Sequence, residues 1–378
     1  MTRFAVIKTD NTAPLIAALK DDCDALKTKG HARADTKVAL RPIAQRNAMR
    51  RAIRHPWLFG NPIVKSAYLS VYLRKISRQY AVLYAQLAAD ASRSALIFNG
   101  FLAPNALLDL AAQELGMNRL YVENGFFPGT LQADLSGING FSTLPRDAAF
   151  YDALSAEDTG VQWPHNFEVR RSKLAKKTDN PLPDRFIFVP FQVPSDMQIL
   201  ALSPWIADMM ALYGEVEKLA RSFPHQHFVV KEHPSFPRSI RNKVAQHGNI
   251  HFANHAVTRD LLEACDGVIT VNSTVGLEAL VSGKKVITLG NAHYAIDGLV
   301  KRAENSAALH ATIADLPGWQ PNVRRRETFI KFIYNRFLIP GDRKMPTDET
   351  VVALKARAAG KDTYSQLIGE RHHVAYSH

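Results

Sequence analysis

The sequence predicts an α/β protein made of two successive parallel-sheet domains, and three observations carry that reading. A length of 378 residues suits about two domains at ~150 residues each. Short apolar strands alternate with segments of helical periodicity over tight connections. A polar, proline-containing stretch at 172–185 separates one such set from the next. The expected organisation is therefore a first α/β domain at 1–171 and a linker at 172–185. A second α/β domain follows at 186–320, then C-terminal helices at 321–378.

Within the first domain, Phe4-Ala-Val-Ile-Lys8 reads as a strand. Residues 63–90 read as one long helix, because Tyr68, Val71, Tyr72, Ile76, Tyr80, Leu83, Tyr84 and Leu87 recur at three- and four-residue spacing. A strand at 95–98 closes on Asn99-Gly100. A helix at 104–115 starts with Pro104 in its first turn and stops before Gly116. Arg119–Glu123 is the next strand, running into the turn Asn124-Gly125. The second domain opens with the strand Phe186–Pro190 and continues with a helix at 203–222 and the strand His227–Lys231. A short strand at 250–252, a helix at 258–265 and the strand Gly267–Val271 come next. The set ends with a helix at 274–282 stopping at Gly283, and the strand Lys285–Leu289. Such domains bind ligands in the crevice at the carboxyl ends of their strands.

Composition narrows the class. With 46% apolar and 22% charged residues, collagen-like, low-complexity and disordered readings are excluded. Two cysteines make neither a disulfide framework nor a thiolate zinc site, which fits a reducing compartment. Lys8 interrupts the N-terminus before any signal-peptide core, and no apolar run reaches ~18–20 residues. A cytoplasmic protein is expected, or one resting on a membrane surface. The net charge of +12 is concentrated. Between Lys37 and Ala89 stand Lys37, Arg41, Arg46, Arg50, Arg51, Arg54, Lys65, Arg74, Lys75 and Arg78, with no acidic residue. Aromatics (Trp57, Phe59, Tyr68, Tyr72, Tyr80, Tyr84) are interleaved. This window reads either as an anionic-surface docking site carried by Arg50, Arg51 and Arg54, or as a solvated face whose aromatics point inward.

Four segments carry candidate chemistry. In Asn272-Ser273-Thr274-Val275-Gly276-Leu277-Glu278 a buried strand runs into a helix capped by Ser273 or Thr274. That is a phosphate site or simply an N-cap, and Gly276 admits a close approach by a ligand or a neighbouring backbone. Lys231-Glu-His233-Pro234 puts cationic side chains at a strand end beside that helix, where they could neutralise a phosphate leaving group. Gln192-Val-Pro-Ser-Asp196 places an acidic residue at the end of an apolar strand. Glu123-Asn124-Gly125 places another at a strand end of the first domain. A carboxylate from each side of a cleft is what glycosyl transfer requires, one as nucleophile and one as acid/base. Each carboxylate taken singly also reads as an Asx-turn or cap.

The order Glu123-Asn-Gly-Phe, Gln192-Val-x-x-Asp196-x-Gln198, Lys231-x-His233-Pro234 and Asn272-Ser-Thr-Val-Gly-Leu-Glu-Ala-Leu resembles the bacterial capsule polysaccharide biosynthesis family, the Kps-type β-Kdo transferases. Leu135-Ser-Gly137-Ile-Asn139, with Ser142 and Pro145, and Gly290-Asn-Ala-His-Tyr294-Ala-Ile-Asp-Gly298-Leu extend the resemblance over roughly 119–300. It implies a GT-B fold, two Rossmann-like domains facing across a cleft, with CMP-β-Kdo as donor and retention of configuration. By the same resemblance Asp196 is the nucleophile and Glu123 the acid/base or acceptor-orienting group. Gln192, Lys231, His233, Pro234, Asn272, Ser273, Thr274, Gly276 and Glu278 would bind the donor. Asn124, Gly125 and Asn139 would line the acceptor side. The implied acceptor is a lysophosphatidylglycerol-type lipid or a Kdo linker, on the cytoplasmic face of the inner membrane, where other capsule-assembly proteins are potential partners. No metal or cofactor is expected. The competing readings are another cytidine-nucleotide transferase (a sialyltransferase or glycerophosphotransferase), a non-catalytic capsule-assembly protein, and a nucleic-acid-binding protein using the basic window. No recognisable motif accompanies the last.

Overall fold

The computed structural model describes residues 2–32, 38–164, 182–236, 238–245 and 247–375. The chain divides into two compact units. The first comprises Met1–Leu144, Glu157–Gln162 and Phe332–His378, the second Pro145–Ala156 and Trp163–Lys331. This division departs from the expected boundaries. Residues 145–156 join the second unit, and the C-terminal segment from Phe332 returns to the first. Most of the expected linker, residues 172–181, lies outside the described residues.

Among the described residues twelve strands form two six-stranded sheets. In the first unit they are β1 (Phe4–Ile7), β2 (Cys23–Leu26), β3 (Ser94–Phe98), β4 (Arg119–Asn124) and β5 (Thr130–Asp134), joined by the late strand β12 (Ile339–Pro340). The order is β12-β5-β4-β3-β1-β2. Pairings among β1 to β4 are parallel, whereas β5 runs antiparallel to both β4 and β12. The expected strand at 119–123 is thus the first arm of a hairpin. Gly125 sits at its turn because a Cβ there would lie 2.0 Å from Thr130 Oγ1 and 2.6 Å from its backbone. Pro340 is tolerated because β12 is an edge strand.

The return of the chain is anchored by packing. Leu354 and Ala358, on the helix Asp348–Ala358, share one core with Phe4, Val6, Leu96, Leu120 and Val122. Arg357 on the same helix is 1% exposed. Its guanidinium donates to the carbonyls of Ala133, Arg336 (2.9 Å) and Phe337 (3.0 Å), and pairs with Asp362 at 2.5 Å. A buried cation holds only with such partners.

The second unit contains β6 (Ile187–Pro190), β7 (Phe228–Lys231), β8 (Ile250–Phe252), β9 (Gly267–Thr270), β10 (Lys285–Thr288) and β11 (Lys301–Arg302), in the order β11-β10-β9-β6-β7-β8. Every pairing is parallel. Helices cover such a sheet, so β6, β7 and β9 are continuously buried. The expected helix at 203–222 begins only at Met209, where Asp208 caps it by accepting from the Ala211 N–H at 2.9 Å. A separate short helix, Met197–Leu202, precedes it. Beyond 304 the expected helices are present, with β12 and a π-turn at Ile333–Phe337 between them.

Candidate functional site

In the second sheet the chain leaves β6 for β7 and β8 on one side, then crosses back to β9 and β10 on the other. Strand order reverses between β6 and β9, and the crevice at their carboxyl ends is where an open α/β sheet takes its ligand. A partly open cavity of about 100 Å³ lies there, walled by Phe188 and Pro190 of β6 and by Lys231, His233 and Pro234 after β7. The helix Thr274–Val281 closes it with Ser273, Thr274 and Glu278. Of the donor-side residues expected from the sequence, the structure brings six together in one cavity: Lys231, His233, Pro234, Ser273, Thr274 and Glu278.

Each is held in place by identifiable bonds. Lys231 is 5% exposed, and its Nζ donates to Ala256 O (2.7 Å) and Thr258 Oγ1 (2.9 Å). Burial lowers its pKa, and Asp260 opposes the shift. An ammonium carries three donors, so one N–H beyond these two bonds is left to face a ligand. His233 Nδ1 accepts from the Ser235 N–H at 3.1 Å. That bond requires an unprotonated Nδ1, so the neutral ring carries its proton on Nε2 and is a donor there. Glu232 also lines the cavity, its carboxylate engaged by its own loop and by Asn254: it accepts from Ile240 N, Ser239 Oγ and Asn254 Nδ2, each at 2.6 Å.

At the helix start, Ser273 Oγ accepts from Val275 N (3.2 Å) and Ser273 O from Gly276 N (2.9 Å). Thr274 is then left to offer its N–H and hydroxyl from the first turn, where the helix dipole favours negative charge. Gly276 does not admit a ligand. A Cβ there would lie 2.2 Å from the Tyr294 hydroxyl, which donates to Ser273 O. Tyr294 is fully buried, and its pKa is raised by that burial and by Glu278. It locks the helix start from beneath, so the close approach expected at Gly276 is made by a protein side chain.

Gln192 and Asn272 lie under the cavity. They are 8% and 1% exposed and bond each other: Gln192 Nε2 to Asn272 Oδ1 at 2.9 Å, and Asn272 N to Gln192 Oε1 at 3.2 Å. Asn272 Nδ2 also donates to Gln198 O (2.8 Å) and Leu202 O (3.2 Å). Their amides therefore fasten the helix Met197–Leu202 to the end of β9. Buried amides need such partners, and this pair fixes the framework in place of a direct ligand contact. Asp196 is exposed and caps that helix through Oδ1, which accepts from the Gln198 N–H at 3.0 Å. It stands beyond a loop, six positions after β6 ends at Pro190, whereas the sequence reading put it directly at a strand end. On the loop before the helix Thr258–Ala264 and in its first turn, Val257, Thr258 and Arg259 line the cavity and escaped the sequence reading. Thr258 was findable as the first residue after a strand-to-helix loop in a parallel unit.

The first unit has its own polar edge. Glu123 accepts from Asn99 Nδ2 (3.0 Å) and from the Asn124 N–H (2.9 Å). Asn99 adopts a left-handed φ of 64°, the turn expected from Asn-Gly. Asn124 Oδ1 accepts from Arg343 Nε at 3.1 Å, and the Arg343 guanidinium lies 5.4 Å from the Phe98 ring centre. Arg343 was invisible in the sequence because it arrives with the C-terminal return. Asn139 was expected on the acceptor side. Instead it is 8% exposed and bonds Gln132 twice, by side chain (3.2 Å) and backbone (2.8 Å). Asp134 organises the same loop by accepting from the N–H groups of Ser136, Gly137 and Thr143. Arg50, Arg51 and Arg54 lie on the helix Arg41–Arg54, with Arg51 over the Tyr68 ring at 5.4 Å. Among the described residues no group of three or more His, Cys, Asp or Glu is placed to hold a metal, and no helix is long and apolar enough to cross a membrane.

Residues 165–336 match a family described as capsule polysaccharide biosynthesis protein. Over 306 residues the chain is 40% identical to Protein FixF of Sinorhizobium fredii, covering 79% of this chain and 74% of that one. It is 24% identical over 251 residues to the capsule polysaccharide export protein KpsS of Escherichia coli, covering 50% and 64%. Among solved structures, the KpsC beta Kdo 2,7 transferase of Thermosulfurimonas dismutans superposes with a TM-score of 0.50 at 14% identity, over 90% of this chain and 92% of that one. The fold is thus the glycosyltransferase-like GT-B type, with two Rossmann-like units.

Proposed function

Because the chain belongs to the capsule polysaccharide biosynthesis family, we propose that it is a glycosyltransferase that moves β-Kdo from CMP-β-Kdo to a lysophosphatidylglycerol-type lipid or a Kdo linker on it. The observation that carries this reading is the cavity at the carboxyl ends of β6, β7 and β9. It sets the Lys231 ammonium, the His233 ring and the Thr274 donors around a phosphate-sized space. A leaving CMP gains a full phosphate charge as its bond to the sugar breaks. Donors already fixed around that position stabilise the charge without reorganising. Glu278, one turn into the helix, lines the same cavity, and in this reading its carboxylate accepts from the ribose hydroxyls.

Asp196 is the nucleophile in this reading. Its Oδ1 is oriented by the Gln198 N–H, and Oδ2 attacks the anomeric carbon. The carbon–oxygen bond to CMP breaks and its electron pair stays on the phosphate, leaving a glycosyl ester on Asp196. The acceptor hydroxyl then displaces Asp196 and gives its proton to a carboxylate, the role assigned to Glu123. Two displacements retain configuration. The Asn99 amide and the Asn124 N–H hold that carboxylate in one orientation. The acceptor lies at an anionic membrane surface, to which the Arg50, Arg51 and Arg54 helix is attracted.

Intact-mass measurement of the protein mixed with CMP-Kdo and no acceptor tests the reading. A Kdo adduct on wild type and none on Asp196→Asn is the expected result. An adduct of equal occupancy on Asp196→Asn removes that residue from the mechanism. Turnover of CMP-sialic acid in preference to CMP-Kdo would reassign the donor.

A further inference from the structure

The cationic window folds as a helical hairpin. The helices Arg41–Arg54 and Pro62–Ala88 are joined through the short helix Pro56–Phe59, and the longer, with 27 residues, spans about 40 Å. Burial along it is polarised. Ile76, Tyr80, Ala81, Val82, Leu83 and Leu87 are buried, and nothing from 62 to 75 is. The shorter helix likewise buries Ile43, Ala44 and Ala48 and nothing beyond.

The outer half is braced by its own aromatics. Phe59 meets Tyr68 edge-on with centroids 5.1 Å apart, and Tyr68 stacks on Tyr72 at 5.3 Å. The Tyr68 hydroxyl donates to Asn47, and Arg51 covers the Tyr68 ring. Those tyrosines form an internal seam that fixes the two helices together. What stays outside is apolar: Trp57 and Ile63 are each 80% exposed and Val71 67%, with Met49 and Leu58 also exposed. A braced hairpin that leaves its largest aromatic and aliphatic side chains in water, amid nine cations and no acid, is matched to a particular partner. Exposed Ile and Val favour hydrocarbon, which nucleic acid does not offer, whereas Trp and Arg suit the headgroup level of a bilayer. Val71, Arg74, Lys75 and Arg78 also line, with Lys29, an open groove of about 460 Å³.

Resting on the reading that the acceptor sits in a membrane, we propose that this hairpin is the docking element for an anionic phospholipid bilayer. Trp57 and Ile63 enter the boundary between headgroups and acyl chains. The arginines of both helices hold phosphates around them, and the Lys29–Arg78 groove receives one lipid headgroup. The proposal adds apolar insertion to charge attraction, so binding should keep a component that salt does not remove.

The test is flotation of the full-length protein with vesicles of phosphatidylcholine, with and without phosphatidylglycerol, at low and high salt. Wild type should bind the phosphatidylglycerol vesicles, with a blue shift in fluorescence that Trp57→Phe abolishes. Trp57→Ser combined with Ile63→Ser should lower partitioning at least about tenfold, at low and high salt alike and with unchanged Tm. Arg50→Gln, Arg51→Gln and Arg54→Gln together should remove most of the preference for phosphatidylglycerol. Equal binding to both vesicle types, no binding, or an apolar double variant that floats like wild type would each overturn the proposal. So would RNA binding that replaces vesicle binding. Hydrolysis of CMP-Kdo without acceptor, measured in parallel, reports on the donor site alone. Its absence in wild type sinks the transferase reading and leaves the vesicle result standing.

Discussion

In the second unit the polar groups at the carboxyl edge come from one unbroken stretch of chain, from β6 to the helix Thr274–Val281. In the first unit Asn99 and Glu123 reach the corresponding edge beside Arg343, which bonds Asn124 across 219 residues of sequence. The difference follows from how the sheets are made. An all-parallel sheet brings successive strand ends to one edge, so a site assembles from neighbouring connections. A mixed sheet with a hairpin and a returning strand finishes its edge with whatever the last segment carries. The second unit's site is therefore local and self-bonded, and the first unit's is conditional on distant chain.

The comparison can be broken at several points. Asp196→Asn should reduce transfer by roughly three orders of magnitude, with CMP affinity nearly unchanged by calorimetry. A variant keeping a tenth of wild-type turnover would show that the second unit supplies no nucleophile. Arg357→Ala leaves three buried carbonyls and Asp362 without their partner, at a cost of about 3–5 kcal/mol. Hydrogen exchange should then accelerate in β1 to β5 and not in β6 to β10. Uniform acceleration would mean that the two units do not unfold separately. Gly276→Ala forces Tyr294 aside, a change worth about 1–3 kcal/mol, and should weaken CMP binding with it. His233→Ala should weaken CMP binding about tenfold, roughly 1.4 kcal/mol, because a phosphate contact acts before and during the reaction. Unchanged affinity would leave the cavity without its histidine donor.

The smallest effect concerns Asp152 and Arg325, which pair at 2.5 Å within the second unit. The hydrogen bond from Arg325 holds the Asp152 carboxyl below its ordinary range. A depressed carboxylate pKa adds stability that is present above the unfolded value and lost as pH falls through the folded one. Asp152→Asn should therefore cost under about 1 kcal/mol at neutral pH, after screening of this half-exposed pair. The cost should vanish as pH falls through the lowered folded-state value. A cost that persists there would assign the effect to packing.

Legibility in the sequence followed the same divide. Five of the six strands of the second sheet stand within a residue of where apolar runs and turn residues put them, because each strand's pattern is local, and the two-residue β11 was not foreseen. Also missed were β2, the antiparallel β5, which pairs with β4 as a hairpin, and the two-residue β12, whose pairing is decided by a partner over two hundred residues away. Lys231, His233, Ser273, Thr274 and Glu278 were legible as a cluster because strand ends and helix starts of adjacent units must meet. Gln192 and Asn272 were misjudged as ligand contacts. Polarity marks a buried amide, but only the folded chain shows that its bonds are already taken. Gly276 signalled a close approach correctly, and its occupant, Tyr294, could be named only once the loop after β10 was in place.

Arg357 and the strand β12 also bear on time. Translation runs from β1 onward, so every strand of the second sheet is synthesised before Ile339 is joined to the chain. The second unit can close its core while the first still lacks the strand that covers its edge and the helix that covers its face. Domains generally form as units during synthesis, and here the later part of the chain is the first to be complete. Until the last helices arrive, β5 has an unpaired edge, the kind of surface that recruits other chains. A ribosome stalled after residue 331 would hold a finished second unit tethered to an unfinished first one.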